Sequence, residues 1–129
     1  MLGHFTVDLY SGLLPVLYPL MALKFDLSNS EVGFVALSFM TAASISQPAF
    51  GLLADKYGSR YLAPASLAWA GIMFGVIGVS PSTGFFMFAA FMAGLGSGAY
   101  HPQGAANASA AVKDESRNTA MSIYTVSGT

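Results

Sequence analysis

Two long stretches without charge constrain this chain more than any other feature of its sequence. Residues 32–54 and 61–112 contain no Asp, Glu, Lys or Arg. An apolar run of about 18 residues or more is long enough to cross the hydrocarbon core of a bilayer as a helix. The runs are continuous rather than alternating in polarity, which favours membrane helices over the strands of a barrel. The sequence therefore predicts an all-α transmembrane fold.

The composition agrees with a protein whose main partner is the lipid bilayer. The chain has 129 residues, of which 54% are hydrophobic and 9% are charged, and its formal net charge is -1. Soluble domains carry about 25% charged residues, so this chain has too few to cover a water-facing surface. It has no basic patch that would attract nucleic acid, and no cysteine for disulfides or thiolate chemistry. We expect no nucleic-acid partner, no cofactor and no metal.

Polar segments divide the chain into four predicted spans and the beginning of a fifth. The spans cover about residues 4–23, 32–53, 61–79 and 84–112, and a further apolar segment begins at about residue 119. The segment from 119 to 129 is too short to cross a bilayer. We therefore expect a partial N-terminal transmembrane domain, cut within its fifth helix. In the first polar turn, Ser28 and Glu31 have the spacing of a capping box for the second helix.

Basic residues in the loops predict the orientation of the chain. The loops after the second and fourth spans contain Lys56, Arg60, Lys113 and Arg117, whereas the other two loops contain only Lys24. Cytoplasmic loops of membrane proteins are enriched in Lys and Arg. We therefore expect the loops after the second and fourth spans, and the N-terminus with them, to lie in the cytoplasm.

The charged loop between the second and third spans has the residues of a tight turn at a membrane surface. Gly51 would let a helix end approach a neighbour closely, and Gly58 can adopt a positive φ and end a helix. Asp55 is an acceptor for the unpaired N–H groups at the start of the next helix. Lys56 and Arg60 place positive charge among the lipid headgroups. The alternative is a generic cytoplasmic loop that carries positive charge.

Asp8 in the first span and His101 in the fourth are candidate proton carriers. A charged side chain near the bilayer centre costs about 2.5–3.5 kcal/mol, and such residues usually face a cavity or a partner. Burial favours the neutral form of each, and entering water reverses that preference. His4 lies one turn before Asp8 on the same helical face, nearer the membrane surface. The alternatives are a neutral His101 bonded to a neighbouring helix and an interfacial Asp8.

The depths of Asp8 and His101 follow from the rise of about 1.5 Å per helical residue. Counted from the flanking loops, Asp8 lies nearer the cytoplasm, and His101 lies about one to two turns deeper. We expect water or substrate to link them, and no direct ion pair is required.

The sequence around His101 predicts close helix packing and a kink. Gly94 and Gly98 form a small-xxx-small pair, which permits close contact between membrane helices. Pro102 removes a backbone hydrogen bond and is expected to kink the helix at the histidine. Tyr100 and Gln103 share an adjacent face, and we assign both to the wall of a cavity.

The order G-x-L-A-D-K-x-G-x-R at residues 51–60 resembles the loop between helices two and three of the major facilitator superfamily. In that family the Asp and the basic residues form a conformational latch with a helix of the other half. The resemblance implies this role for the latch residues, which are Gly51, Asp55, Lys56, Gly58 and Arg60.

Two further stretches look like the fosmidomycin-resistance group of the same superfamily. Residues 4–19, H-F-T-V-D-L-Y-S-G-L-L-P-V-L-Y-P, resemble its first helix, and residues 94–106, G-x-G-S-G-x-Y-H-P-Q-G-A-A, resemble its fourth. The resemblance implies a proton-coupled exporter, an antiporter of a small molecule or drug, working by alternating access in the bacterial inner membrane. It also implies that helices one and four line the central cavity, with Asp8 and His101 on the transport path.

The same resemblance implies that the chain is a fragment. It would supply the first four helices and the start of a fifth from the N-terminal six-helix bundle, and its partner would be the missing C-terminal half. One alternative is a complete four-helix transporter that works as a dimer, which the unfinished fifth segment disfavours. The other is a metal-dependent membrane enzyme with His4, Asp8 and His101 as ligands, but no second ligand pair or metal motif accompanies them. We therefore expect no enzymatic activity.

Overall fold

Helices account for nearly all of residues 2–128, which are the residues that the structure, a computed structural model, describes. The helices are α1 (Leu2–Phe25), α2 (Asn29–Tyr57), α3 (Ser59–Gly78), α4 (Thr83–Ala110) and α5 (Arg117–Val126), with a 3-10 turn at Asp114–Ser116. No strand occurs within the described range. The first four helices are each long and apolar enough to cross a membrane. The predicted all-α transmembrane fold is confirmed.

Local hydrogen bonds fix where the membrane helices begin. The Ser28 hydroxyl accepts from the Glu31 backbone N–H at 3.3 Å, and the Ser28 N–H donates to the Glu31 carboxylate at 2.8 Å. This reciprocal pair is the capping box predicted for α2. The Ser82 hydroxyl accepts from the Phe85 N–H at 3.3 Å at the start of α4. Each cap satisfies a backbone donor that a helix start leaves unpaired.

The turn between α2 and α3 is a single residue, which is tighter than the sequence predicts. Gly58 has φ 80° and separates the two helices, because α2 continues to Tyr57 through most of the charged loop. The prediction that Asp55 caps α3 is therefore wrong: Asp55 lies in the last turn of α2, and α3 has no side-chain cap. The close approach predicted at Gly51 is also absent from the described residues, since a Cβ there would meet nothing within 4 Å.

Helix α4 is the centre of the bundle and packs most extensively on α2 and α3. A Cβ added at Gly98 would collide with the carbonyl oxygen of Ala43, and one at Gly94 with that of Phe39. A Cβ at Gly96 would lie 2.9 Å from the backbone nitrogen of Ala70 in α3. Missing side chains thus let backbones meet directly, which is how membrane helices gain van der Waals contact.

Helix α4 continues through Pro102 to Ala110. The kink expected there stays a prediction.

The outer face of α1 is apolar and exposed. Its exposed large side chains recur every three or four residues, at Phe5, Leu9, Leu13, Val16 and Leu20. That spacing places them along one helical face. A large exposed apolar stripe is unusual in a soluble monomer but is expected where a helix faces lipid. The chain is therefore an integral membrane protein.

The short helix α5 returns to the bundle after the charged loop that follows α4. It packs on α4, and its residues Ala120 and Tyr124 are buried. It begins two residues before the predicted start at Thr119. Thr129, the last residue of the predicted fifth segment, lies outside the described residues.

Candidate functional site

Helices α1, α4 and α5 meet at four side chains, which we call the α1–α4–α5 cluster: His4, Asp8, His101 and Tyr124. Asp8 Oδ2 lies 3.3 Å from His4 Nε2, and Asp8 Oδ1 lies 3.5 Å from His101 Nε2. His4 and Asp8 share one face of α1 because they are one turn apart. One carboxylate is thus held between two imidazoles, one from its own helix and one from α4.

The contact between Asp8 and His101 is closer than the depth count from the sequence indicates. That count separates the two by about one to two turns and leaves the gap to water or substrate. In the structure the side chains meet directly. A residue count along upright helices omits helix tilt and the reach of the side chains, and both reduce the separation.

His4 is buried by the protein itself. Only 8% of the residue is exposed, and its Nδ1 lies 2.7 Å from the carbonyl oxygen of Tyr124. The imidazole stacks on the Tyr124 ring, with 4.0 Å between centroids and 10° between planes. The predicted depth of His4, near the membrane surface, stays a prediction.

Tyr124 is the site residue that the sequence reasoning missed. Besides stacking on His4, its hydroxyl donates to the carbonyl oxygen of His101 at 3.2 Å. It therefore joins α5 to both α1 and α4. Nearby, a Cβ at Gly128 would collide with the Asp8 carboxylate and the His4 ring. The only available signal was that Tyr124 is the sole aromatic residue that follows His101.

A second polar contact joins α1 and α4 one turn farther along. The hydroxyls of Ser11 and Ser97 are 3.0 Å apart. Ser11 follows Asp8 by three residues and Ser97 precedes His101 by four, so the two contacts lie along one boundary. We call Asp8, Ser11, Ser97 and His101 the polar seam. The side chains of Asp8 and His101 are 27% and 30% exposed, so they are accessible from outside this bundle.

Tyr100 and Gln103, both predicted to line a cavity, face different neighbours. Tyr100 is buried, and its hydroxyl lies against Gly3 of α1. It lines a cavity of about 310 Å³, together with Gly104, Asn107, Ala108, Ala111, Val112 and Ala120.

Gln103 is fully buried against α2, where its Nε2 donates to the Phe50 carbonyl oxygen at 2.7 Å. Its Oε1 has no partner within residues 2–128. Gln103 therefore belongs to the α2–α4 interface and lies outside the α1–α4–α5 cluster.

The charged latch residues lie apart from the cluster, in the last turn of α2 and the first turn of α3. Asp55, Lys56 and Arg60 are all exposed and form no ion pair with any described residue. Lys56 Nζ lies 5.2 Å from the centroid of the Tyr57 ring, and Arg60 lies 5.5 Å from that of Tyr61.

The start of α3 is also attached to α4. The Ser59 hydroxyl donates to the side-chain oxygen of Asn107, and the Asn107 amide donates back to the Ser59 carbonyl oxygen at 3.5 Å. The position of the latch residues is therefore tied to the end of α4 that carries Asn107.

The chemistry of the cluster is that of groups that exchange protons. Imidazole is the side chain whose ordinary charge change falls between about pH 5 and 8. The Asp8 carboxylate between two such rings can accept a proton from either. The three ligand atoms of His4, Asp8 and His101 all lie within 4.8 Å of one another, so the same donor set could also bind a divalent cation.

Comparison with known proteins decides the family. The sequence profile of the Major Facilitator Superfamily matches residues 1–129. The chain belongs to the Major Facilitator Superfamily. The resemblance inferred from the sequence is thereby confirmed, and a Major Facilitator chain points to transport rather than to the enzyme alternative.

Two curated relatives of this Major Facilitator chain are bacterial. The Fosmidomycin resistance protein of Escherichia coli (strain K12) is 29% identical over 127 residues, which cover 98% of this chain and 31% of that protein. The Uncharacterized MFS-type transporter YfnC of Bacillus subtilis (strain 168) is 30% identical over 127 residues, covering 97% of this chain and 30% of that protein. No solved structure matches significantly. The chain thus spans about a third of the length of these relatives.

Proposed function

We propose that this chain is the N-terminal part of a proton-coupled exporter, an antiporter that moves a small molecule by alternating access. The observation that carries the proposal is the Asp8 carboxylate between the imidazoles of His4 and His101, on helices of a Major Facilitator chain. An ionisable group within a membrane span is costly unless a cavity or a partner compensates it. Here the partners are themselves proton carriers.

In this mechanism the polar seam is the place where protons enter and leave. Asp8 and His101 are partly exposed, so water or substrate in the adjoining cavity can reach them. When the cavity opens to one side, water stabilises the charged forms, and when it closes, burial favours the neutral forms. Proton uptake on one side and release on the other then drive the substrate in the opposite direction. Tyr100 is proposed as part of the cavity wall because its ring lies beside that of His101, with 6.4 Å between centroids.

The latch residues are proposed to set the balance between the two open states. Asp55, Lys56 and Arg60 are exposed, and no described residue pairs with their charges. They are therefore available to form ion pairs with a helix of the remaining half of the transporter. We place this end of the bundle and the N-terminus in the cytoplasm on the distribution of basic loop residues. We place the transporter in a bacterial inner membrane on its similarity to the two bacterial relatives.

The first substrate probe comes from the relatives. The Escherichia coli relative is named for resistance to fosmidomycin, so fosmidomycin is the compound to test first. A strain that overproduces the intact transporter should tolerate more fosmidomycin than the same strain with an empty vector. Equal susceptibility of the two strains would exclude fosmidomycin as the substrate.

The decisive variant is Asp8→Asn in the intact transporter. In everted vesicles that hold a pH gradient, adding fosmidomycin should make the wild type release protons, which a pH-sensitive dye reports. Asp8→Asn should abolish this release, because an amide cannot exchange a proton in this range.

The matched control is Asp55→Asn, which removes an exposed carboxylate from the latch loop. It should slow transport with and without the gradient while keeping the proton release per substrate. Unchanged gradient-driven transport in Asp8→Asn would remove Asp8 from the mechanism. Stoichiometric zinc or iron in the purified transporter would instead favour cation binding at the cluster.

A further inference from the structure

The two ring nitrogens of His4 have different partners, and this fixes the position of one hydrogen. Nδ1 lies 2.7 Å from the backbone carbonyl oxygen of Tyr124. A carbonyl oxygen only accepts hydrogen bonds, so the hydrogen of this bond must be on Nδ1. In a neutral imidazole the other nitrogen, Nε2, then has a lone pair and no hydrogen.

That assignment creates a conflict at Asp8 unless one more proton is present. His4 Nε2 lies 3.3 Å from Asp8 Oδ2. With a neutral ring and an ionised carboxylate, a lone pair would face an anion, and both atoms would be acceptors. One additional proton removes the conflict, either as N–H on a His4 imidazolium or as O–H on a neutral Asp8 carboxyl. The two forms contain the same number of protons.

His101 has no such requirement. Its Nε2 lies 3.5 Å from Asp8 Oδ1, and its Nδ1 has no hydrogen-bond partner within the described chain. A neutral His101 can therefore carry its hydrogen on Nε2 and donate it to Asp8. Of the two imidazoles, only His4 needs an extra proton to keep both of its contacts.

We propose that His4 and Asp8 together hold the coupling proton, and that loss of this proton releases α5 from α1. The inference rests on the proposed proton-coupled transport and names the pair of atoms that binds the proton. When the proton leaves to water, His4 keeps one hydrogen for two acceptors. Moving that hydrogen to Nε2 satisfies Asp8 and breaks the bond from His4 to the Tyr124 carbonyl, which then keeps only its donors from Ser127. Tyr124 is thus a positioning residue, acting through its backbone.

The other titratable groups that face the pair leave this conclusion unchanged. They are His101 and Tyr100 on α4 and Tyr124 on α5. Both phenols stay neutral at ordinary pH, since tyrosine ionises at about pH 10 or above. No Lys, Arg or further acidic side chain of residues 2–128 forms an ion pair with His4 or Asp8. Contact between α5 and α1 should therefore depend on whether His4 and Asp8 hold their shared proton.

The experiment measures the distance between α1 and α5 in the intact transporter. Spin labels at Phe5→Cys and Ile123→Cys use side chains that are 54% and 48% exposed. This chain has no cysteine of its own, and any cysteine in the rest of the transporter would be replaced.

We call α5 docked when it contacts α1 and undocked when the two have separated. In lipid nanodiscs, the ratio of docked to undocked molecules should fall about tenfold or more between pH 5 and pH 9. That is the effect expected from losing one hydrogen bond that involves a charged group. Labels at Ile72 and Phe88, on α3 and α4, should report no change.

Three substitutions separate the proton from the hydrogen bonds. Asp8→Asn should keep α5 docked at every pH, because its amide N–H can donate to the lone pair of His4. His4→Asn should also dock independently of pH, since its amide can reach the Tyr124 carbonyl and places no lone pair against Asp8. In His4→Gln the amide lies where His4 has its Nε2, so it does not replace the Nδ1 donor to the Tyr124 carbonyl. This variant should leave α5 separated from α1 at every pH.

Two results would overturn the inference: a wild-type distance that does not change with pH, or an Asp8→Asn distance that changes as the wild type does. The wild-type titration and Asp8→Asn suffice even where the His4 variants fail to fold. Failure of the proposed proton-coupled transport can be told apart from failure of this inference. In the first case Asp8→Asn would retain gradient-driven transport. Loss of that transport combined with a pH-independent distance would refute only the role of His4 and α5.

Discussion

Helix α4 has two faces that are built by opposite means. Toward α2 and α3 it presents Gly94, Gly96 and Gly98, and backbones approach so closely that a Cβ would collide with backbone atoms across the interface. Toward α1 and α5 it presents Ser97 and His101, which meet their neighbours through polar atoms; Ser97 is buried and His101 is partly exposed. One face is suited to hold the bundle together and the other to change its contacts.

The difference has an energetic basis. Lipid is as apolar as a leucine side chain, so helices in a membrane associate through close packing and hydrogen bonds rather than through the hydrophobic effect. The glycine face maximises that packing. The polar seam offers side-chain hydrogen bonds, which in membranes contribute only about 0.6 kcal/mol on average. A boundary held by such contacts can open at modest cost, whereas the glycine face cannot.

The largest effect is expected at the glycine face. Gly98→Val would drive a side chain into the Ala43 carbonyl and the Ser46 hydroxyl, and backbone atoms have little freedom to move aside. Overpacking typically costs about 1–3 kcal/mol and occasionally more, so we expect about 3 kcal/mol or more here. Denaturant unfolding of the intact transporter in detergent measures the loss. Gly75→Val on α3 is the control, because a Cβ there meets nothing within 4 Å. Similar losses at both sites would contradict the division between the faces.

A smaller effect is expected at the polar residue buried in the same interface. Gln103→Glu replaces the amide donor to the Phe50 carbonyl with a carboxyl group, which donates only while protonated, at a site that solvent does not reach. We expect a cost of about 2–3 kcal/mol, from the altered bond and the burial of an ionisable group. Gln103→Met keeps the shape and should cost about 1 kcal/mol, since it also removes the unpaired Oε1. If Gln103→Met unfolds at the same denaturant concentration as the wild type, the hydrogen bond to α2 contributes nothing to stability.

The smallest effect is expected on the polar seam. A double-mutant cycle with Ser11→Ala and Ser97→Ala should give a coupling energy of about 0.6 kcal/mol, the average for such bonds in membranes. The same unfolding assay applies. A coupling energy above about 2 kcal/mol would exceed the measured range for these bonds and would make the seam as rigid as the glycine face.

Those features that depend on local sequence were predictable, and those that depend on tertiary contact were not. The Ser28–Glu31 cap needs only a spacing of three residues, and it forms as expected. Asp8 and His101 were identifiable because ionisable residues are rare in apolar runs. Their direct contact was not, since it depends on how α1 and α4 lie against each other.

Two outcomes at Asp55 and Tyr124 show the limit in physical terms. The end of a helix is defined only to within one or two residues by local signals, so Asp55 was placed after α2 although it lies inside its last turn. The hydrogen bond between Tyr124 and His4 is made by a backbone carbonyl, which every residue possesses. No sequence pattern marks it, and only the packing of α5 reveals it.

The one-residue connection at Gly58 has a mechanical consequence. Two helices joined by a single residue have no slack between them, so the ends of α2 and α3 that meet there cannot separate. Because Ser59 is also bonded to Asn107 of α4, three helices share one anchored corner. Any reorientation of these helices as a unit would therefore carry the charges of Asp55 and Arg60 with it.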